Sequence, residues 1–326
     1  MKNFNGRIAA VTGGGTGMGR ELVRQLVAEG CSVAMCDVSG ANMAETKRLC
    51  EADGVPQGVR VTAHVADVSN ETQVLAFRDA AAREHDTDRL HLLFNNAGIG
   101  GGSSIVTSPR EEWERTFNVN WYGVYYNTRA FLPLMMRAEE AHIVNTSSIN
   151  GFWACLMPGV SQSAYSAAKF AVKGFTESMV TDLRNTAPHI KASIVMPGHI
   201  GTDIGFNTRR VLTGSDSDEM SESEIAAARQ MLRVLDPRMA DAPAEAIQAA
   251  MLDFAQRFKD TAPTSAAQAA KIILDGVKAD RWRILVGDDA HRIDERVRAR
   301  PENAYDLDFL ADFGSYIAAG DEAAKS

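Results

Sequence analysis

The chain has 326 residues, 45% hydrophobic and 23% charged, which is ordinary globular composition with enough length to bury a large core. A formal net charge of −8 argues against a nucleic-acid-binding surface, although local backbone dipoles could still hold an anionic small molecule. No apolar run approaches the ~18 residues of a membrane span, and Met1–Gly6 lacks the apolar stretch of a signal peptide.

Short apolar runs open the chain at Arg7–Thr12, Ser32–Asp37 and Val59–Val65 and continue at His91–Asn95, Ala141–Ser147 and Lys191–Met196. Most are rich in Val and Ile, so they read as buried parallel strands. Between them, 17–29, 41–53, 70–85, 111–138 and 162–186 read as helices. Strand–helix alternation at this spacing predicts βαβ units, hence an α/β protein with a doubly wound parallel sheet. From about 199 to 263 the rhythm breaks at Gly201, Gly205 and Gly214, an acidic run from Ser215 to Glu224, and two helices near 221–235 and 242–259. Such an insertion beyond the last regular strand suits a lid or substrate wall, or a surface excursion. A helix over Ser265–Ala279 and a late strand, Arg283–Val286, follow. The expected organisation is one domain over 1–290 and a C-terminal extension over 291–326, charged to Arg300 and then aromatic, able to pack on a neighbouring subunit or on its own domain.

Four cysteines, Cys31, Cys36, Cys50 and Cys155, form no CxxC pair and match no zinc spacing. Buried free thiols, no metal, and a reducing cytoplasmic setting are expected.

Three features carry chemistry. After the first strand comes Thr12-Gly13-Gly14-Gly15-Thr16-Gly17-Met18-Gly19, which departs from a strict G-x-G-x-x-G but spaces Gly13, Gly17 and Gly19 so that backbone N–H groups can approach a pyrophosphate at a helix N-terminus. Asp37, 18 residues past Gly19, can accept from adenosine ribose hydroxyls and repels a 2′-phosphate, favouring NAD over NADP. Tyr165 and Lys169 lie four apart on one helix face, where an ammonium would favour the phenolate of a tyrosine that ordinarily titrates near ~10.

Together these residues resemble the short-chain dehydrogenase/reductase family, from about Gly6 to Thr202, with weaker likeness near Arg283–Ala290. TGGGTGMG looks like the family's TGxxxGxG turn, Asn95-Asn96-Ala97-Gly98 like its NNAG segment, and Asp67-Val68 like its adenine-contacting pair. Val119-Asn120-Trp121-Tyr122-Gly123 resembles the segment with the active-site asparagine, and Ser148 (or Ser147), Tyr165 and Lys169 resemble its Ser, Tyr and Lys. Pro197-Gly198, Ile200 and Thr202 resemble its PGxxxT stretch. The resemblance implies a Rossmann-type fold and a cofactor held by Gly13, Thr16, Gly17, Met18, Gly19, Asp37, Asp67, Val68, Asn95, Ala97, Gly98, Pro197, Gly198, Ile200 and Thr202, with Tyr165 and Lys169. It also implies a homo-oligomer, dimer or tetramer, built on the two long helices. One departure stands out: Ser148 precedes Tyr165 by 17 residues, against about a dozen in the family, and this longer loop should reshape the substrate mouth.

The implied chemistry is hydride transfer between a nicotinamide and a carbinol or carbonyl carbon. Tyr165 would be the acid or base, Lys169 would stabilise its phenolate, Ser148 would donate to the substrate oxygen, and Asn120 would hold a relay water. Trp153, Leu156, Met157, His199 and Phe206, with Ile200, are candidates to line an apolar pocket for a small-molecule secondary alcohol or ketone. Alternatives are an NADPH-dependent reductase of ketones or 3-ketoacyl groups, and a non-catalytic NAD sensor on the same fold.

Overall fold

The structure, a computed structural model, describes residues 1–101, 104–155, 160–215, 217, 219–306 and 309. Seven parallel strands form one sheet: β1 (Ile8–Thr12), β2 (Ser32–Asp37), β3 (Val61–Val65), β4 (Leu92–Asn95), β5 (Ala141–Thr146), β6 (Ile190–Pro197) and β9 (Arg283–Val286). Their spatial order is β3-β2-β1-β4-β5-β6-β9, so the winding reverses between β1 and β4 and opens a crevice at their carboxyl ends. The doubly wound Rossmann-type architecture expected from the sequence is what the chain adopts.

Side chains alternate across each strand, and the two faces gather separate cores. Ala9 and Val11 of β1 point to one face with Leu22 and Leu26 of α1 (Gly17–Ala28), Met43 of α2 (Gly40–Asp53) and Ile273 of α10 (Ala266–Lys278). Ala10 points to the other, with Phe77 of α3 (Glu71–Glu84), Phe131 of α5 (Gly123–Met135) and Leu183 of α6 (Ser163–Thr186). β3 departs from the buried strand expected, since as the sheet edge it leaves Val65 exposed.

The helix expected over 111–138 is broken into α4 (Arg110–Phe117), a π turn (Asn118–Tyr122) and α5. The wider turn carries Asn120, and single π turns of this kind recur at functional sites.

The insertion holds α7 (Ile204–Thr213), α8 (Glu222–Leu235) and α9 (Ala244–Asp260). α8 and α9 share a small core of Ala228, Leu232 and Ile247, and a capping box of Ser221 and Glu224 starts α8. Two short strands, β7 (Ile200–Gly201) and β8 (Thr264–Ser265), pair at the insertion's two ends.

α11 (Asp288–Ala299) crosses the boundary expected at residue 290. The described part of the extension packs on its own domain: Ala304 and Phe309 join Ile149, Trp153 and Ile293 in one buried cluster. Among the described residues no helix is long and apolar enough to cross a membrane, and no cluster of metal-ligand side chains occurs.

Candidate active site

The glycine turn follows from close packing. Gly13 has φ +68°, and a Cβ there would stand 2.9 Å from the Ala97 Cα. A Cβ on Gly19 would overlap the Gly13 carbonyl oxygen. Behind the turn, the Thr12 hydroxyl accepts from the N–H groups of Asn96 and Ala97, both at 3.0 Å, which fastens the Asn95–Gly98 segment to β1. α1 begins here with no side-chain cap and no acidic residue in its first turn, an arrangement that suits an anion.

An open cleft runs along this edge. Of the residues expected to hold a cofactor, Gly13, Thr16, Gly17, Met18, Asp37, Asp67, Val68, Ala97, Gly98 and Thr202 line it. The Asp37 carboxylate accepts from the N–H groups of Gly15 and Ser39, both at 3.0 Å. A Cβ on Gly15 would lie 2.8 Å from Asp37 Oδ2, which leaves no room there for a basic side chain.

The side chains of other expected cofactor residues serve the frame. The Asn95 side chain is buried, donating to Asn145 Oδ1 at 2.8 Å and to Thr128 at 3.0 Å, so it ties β4 to β5 and α5 and does not face the cleft. Gly19 underlies the turn. The Ile200 side chain is buried in the core. Pro197 ends β6, and Gly198 passes so close to Asp289 that a side chain would collide with its carboxylate.

The four residues expected to be catalytic converge beyond Gly98. Lys169 is buried, its Nζ donating to the Thr146 carbonyl at 3.0 Å and lying 5.4 Å from the Tyr165 ring centroid. The Ser148 hydroxyl is hydrogen-bonded to Tyr165. Ser147, the alternative serine, donates to the Lys169 carbonyl at 2.8 Å and so fastens α6 to the loop. Asn120 donates to the carbonyls of Ile99 at 2.7 Å and Thr116 at 2.8 Å, but its Oδ1 is buried with no protein partner. A Cβ on Gly98 would stand 2.8 Å from that oxygen and 3.4 Å from Lys169 Nζ, so both groups face one spot. An orphaned amide oxygen beside a buried ammonium is a natural water site.

Electrostatics reverse one expectation. The lysine was expected to pull the Tyr165 pKa down, yet burial pushes it above its ordinary 10, with the Ser148 hydrogen bond pulling only partly back. Burial also pushes Lys169 down to about 7. Desolvation sets both directions, with Lys169 buried and Tyr165 half-buried.

Sequence reasoning missed Arg115. This side chain lines the cleft and pairs with Asp67 at 2.7 Å. Burial alone would raise the Asp67 carboxyl, but the Ser69 and Arg115 hydrogen bonds outweigh it and hold the group below the ordinary range. α7 was missed as well, although Asn207 donates to Thr16 Oγ1 at 2.8 Å and so braces the glycine turn. An i, i+3 face of Ile204, Asn207 and Arg210 on the cleft was the available signal.

The expected substrate lining is corrected at two positions. Trp153 is fully buried with its indole N–H donating to the Ala304 carbonyl at 2.8 Å, so it is core. The His199 ring is hydrogen-bonded to the Phe258 carbonyl at 2.6 Å and lies against the Phe258 ring, so it fixes α9 and is not free for substrate. Phe206 is half-buried on α7. Leu156 and Met157 lie outside the described residues.

This is a Rossmann-type protein with serine, tyrosine and lysine gathered at the end of a glycine-cradled cleft. The sequence profile of the short chain dehydrogenases matches residues 7–211. SadH of Mycobacterium tuberculosis is 33% identical over 298 residues, covering 91% of this chain and 92% of its own. Levodione reductase of Leifsonia aquatica is 31% identical over 224 residues, 68% of this chain and 80% of its own. Among solved structures, a short chain dehydrogenase/reductase from Burkholderia phymatum in complex with NAD superposes with a TM-score of 0.73 at 31% identity, covering 93% of this chain and 95% of that one. The chain belongs to the short-chain dehydrogenase/reductase family and is an oxidoreductase of that type.

Proposed function

We propose that this chain is an NAD-dependent enzyme that interconverts a secondary alcohol and its ketone, the substrate carrying an apolar body. The observation that carries this reading is the Ser148–Tyr165 hydrogen bond above buried Lys169, at the end of a cleft lined by Gly98. The residues fit a dinucleotide, because the cradle at Gly13 and Gly19 is one that a Cβ would fill. Gly13, Thr16, Gly17 and Met18 would hold the diphosphate, Asp37 the adenosine ribose, and Thr202 and Lys169 the nicotinamide half. A bound nicotinamide supplies the hydride acceptor or donor.

The proton steps belong to this chain. In oxidation Tyr165 gives its own proton to the Lys169 amine and, as phenolate, takes the hydroxyl proton; in reduction the phenol gives its proton to the forming alkoxide and is reprotonated by the Lys169 ammonium. Ser148 donates to the substrate oxygen, where charge changes. Lys169, with its pKa near 7, changes charge in the working range and passes the proton toward the spot it shares with Asn120 Oδ1. An apolar substrate body is supported by the half-buried Phe206 on α7, whose Ile204 lines the cleft.

NAD is favoured because the Asp37 carboxylate is fixed at the cleft by two backbone N–H groups and would repel a 2′-phosphate. The second reading is NADPH-dependent ketone or 3-ketoacyl reduction, supported by Arg115 on the same cleft and by the likeness to a levodione reductase. The Asp67 pairing that neutralises Arg115 weighs against it. A homo-oligomer is supported by Tyr122, Tyr125 and Phe170, exposed on α5, its π turn and α6, beside Trp121, which stacks on Tyr125 and meets Phe175 edge-on. Four buried free thiols suit a reducing cytoplasm.

The test is reduced-nicotinamide absorbance with a panel of secondary alcohols and either NAD or NADP, then the ketones with NADH. Turnover with NAD exceeding that with NADP is expected. Equal turnover with both overturns the cofactor preference, and turnover of small polar polyols alone overturns the substrate class.

A further inference from the structure

The loop after β5 carries Ser148, yet beyond the short 3-10 turn Ile149–Gly151 its described residues have little regular structure up to α6. Backbone groups in such a loop need partners from elsewhere. The N–H groups of Gly151, Phe152 and Trp153 bond within the turn, and the next groups along are met by the C-terminal end of the chain. The Trp153 indole donates to the Ala304 carbonyl at 2.8 Å, and the Ala154 N–H donates to the Tyr305 hydroxyl at 2.9 Å. Phe309 meets Trp153 edge-on, ring centroids 5.8 Å apart. Arg296 of α11 holds Phe309 twice, with its guanidinium 4.3 Å from the ring centroid and an N–H donated to the Phe309 carbonyl at 3.0 Å.

α11 grips the neighbouring loop too. Asp289 in its first turn accepts from the His199 N–H at 2.6 Å, between Gly198 and the cleft-lining Thr202. α11 is in turn anchored to β9 by the buried Asp294, which accepts from the two terminal guanidinium nitrogens of Arg283, at 2.9 and 2.5 Å.

We propose that α11 with Ala304, Tyr305 and Phe309 is a positioning clasp for the two loops that flank the reacting groups, with Tyr305 and Phe309 setting the place of the Ser148 loop. The longer spacing between Ser148 and Tyr165 and the extension that meets it at Trp153 and Ala154 are two halves of one device. Neither Tyr305 nor Phe309 is among the residues that line the cleft, and each reaches the loop through Trp153 or Ala154. A displacement of about 1 Å at a reacting group can cost ~100-fold in rate, so a loop set from outside governs turnover without taking part in it.

The inference rests on reading Ser148 and Tyr165 as the reacting groups, so its test needs a readout independent of turnover. Cys155, next to Ala154, is a buried free thiol inside the same cluster. Its alkylation by iodoacetamide, located by mass spectrometry, reports opening of the clasp. In Tyr305→Phe, which removes only the hydroxyl acceptor, and in Phe309→Ala, Cys155 labelling should rise several-fold at temperatures below the melting transition. In both, kcat for the alcohol should fall roughly fivefold to tenfold, on the scale of one lost hydrogen bond or more, while NAD affinity by protein fluorescence stays unchanged. Unchanged labelling, or faster labelling with unaltered kcat and KM, overturns the clasp. Where the unaltered protein turns over neither alcohol nor ketone, the reaction reading falls, and the labelling alone supports or overturns the clasp.

Discussion

The loop after β1 and the loop after β5 stand two strands apart on the same edge of the sheet, and they are built in opposite ways. The first is fixed mainly by its own close packing, with Asn207 and Asp37 as braces: Gly13 and Gly19 fit each other and the adjacent Ala97 with no room for a side chain. The second is held by residues about 150 positions later, through the Trp153–Ala304 and Ala154–Tyr305 bonds. A site for a cofactor common to many enzymes can be a compact local device. A site for a particular substrate is shaped by whatever the rest of the chain brings to it.

The largest effect expected from breaking this contrast comes at the first loop. Gly19→Val drives a side chain onto the Gly13 carbonyl and should abolish NAD binding in a fluorescence titration. Retained binding would show that the turn is slack, and the contrast with the second loop would vanish. At the second loop, Ser148→Ala removes the hydroxyl that meets Tyr165 and should lower kcat roughly a hundredfold, the scale of one lost oxyanion-type donor. NAD affinity should not change, and steady-state rates beside a binding titration check both.

A smaller effect concerns stability. Lys169 in the folded chain has its pKa depressed from 10.5 to about 7 by burial. Between those values the unfolded chain binds the proton that the folded chain lacks, so stability rises with pH across that window and the cost of the buried ammonium is complete below it. Lys169→Met should flatten the rise in denaturation midpoint from about pH 7 to 10. An unchanged slope would mean that Lys169 stays charged, and its part in proton transfer would have to be rewritten.

What the sequence disclosed follows the same division. The strands of the main sheet, the glycine turn, Asp37 and the Tyr165–Lys169 pair were all legible because each is a short pattern whose physics is local. The π turn at Asn120 was not, since a single wide turn leaves the apolar periodicity of 111–138 almost untouched. Trp153 read as a substrate wall because it is an aromatic in an irregular loop, and the partner that makes it core lies at Ala304. His199 misled for the same reason, its ring being satisfied by the Phe258 carbonyl on α9. The upward shift of Tyr165 was hidden because helical spacing fixes the neighbour but not the burial that outweighs it.

The measurement that tests the account most directly pairs NAD binding with turnover in Tyr165→Phe. Loss of the phenol oxygen removes the acid and base while leaving the glycine cradle and Asp37 in place. Turnover reduced by about 10³-fold or more, within the range of general acid–base contributions, with NAD affinity unchanged, is the predicted result. Turnover retained by the phenylalanine variant would contradict the assignment of Tyr165 and the mechanism built on it.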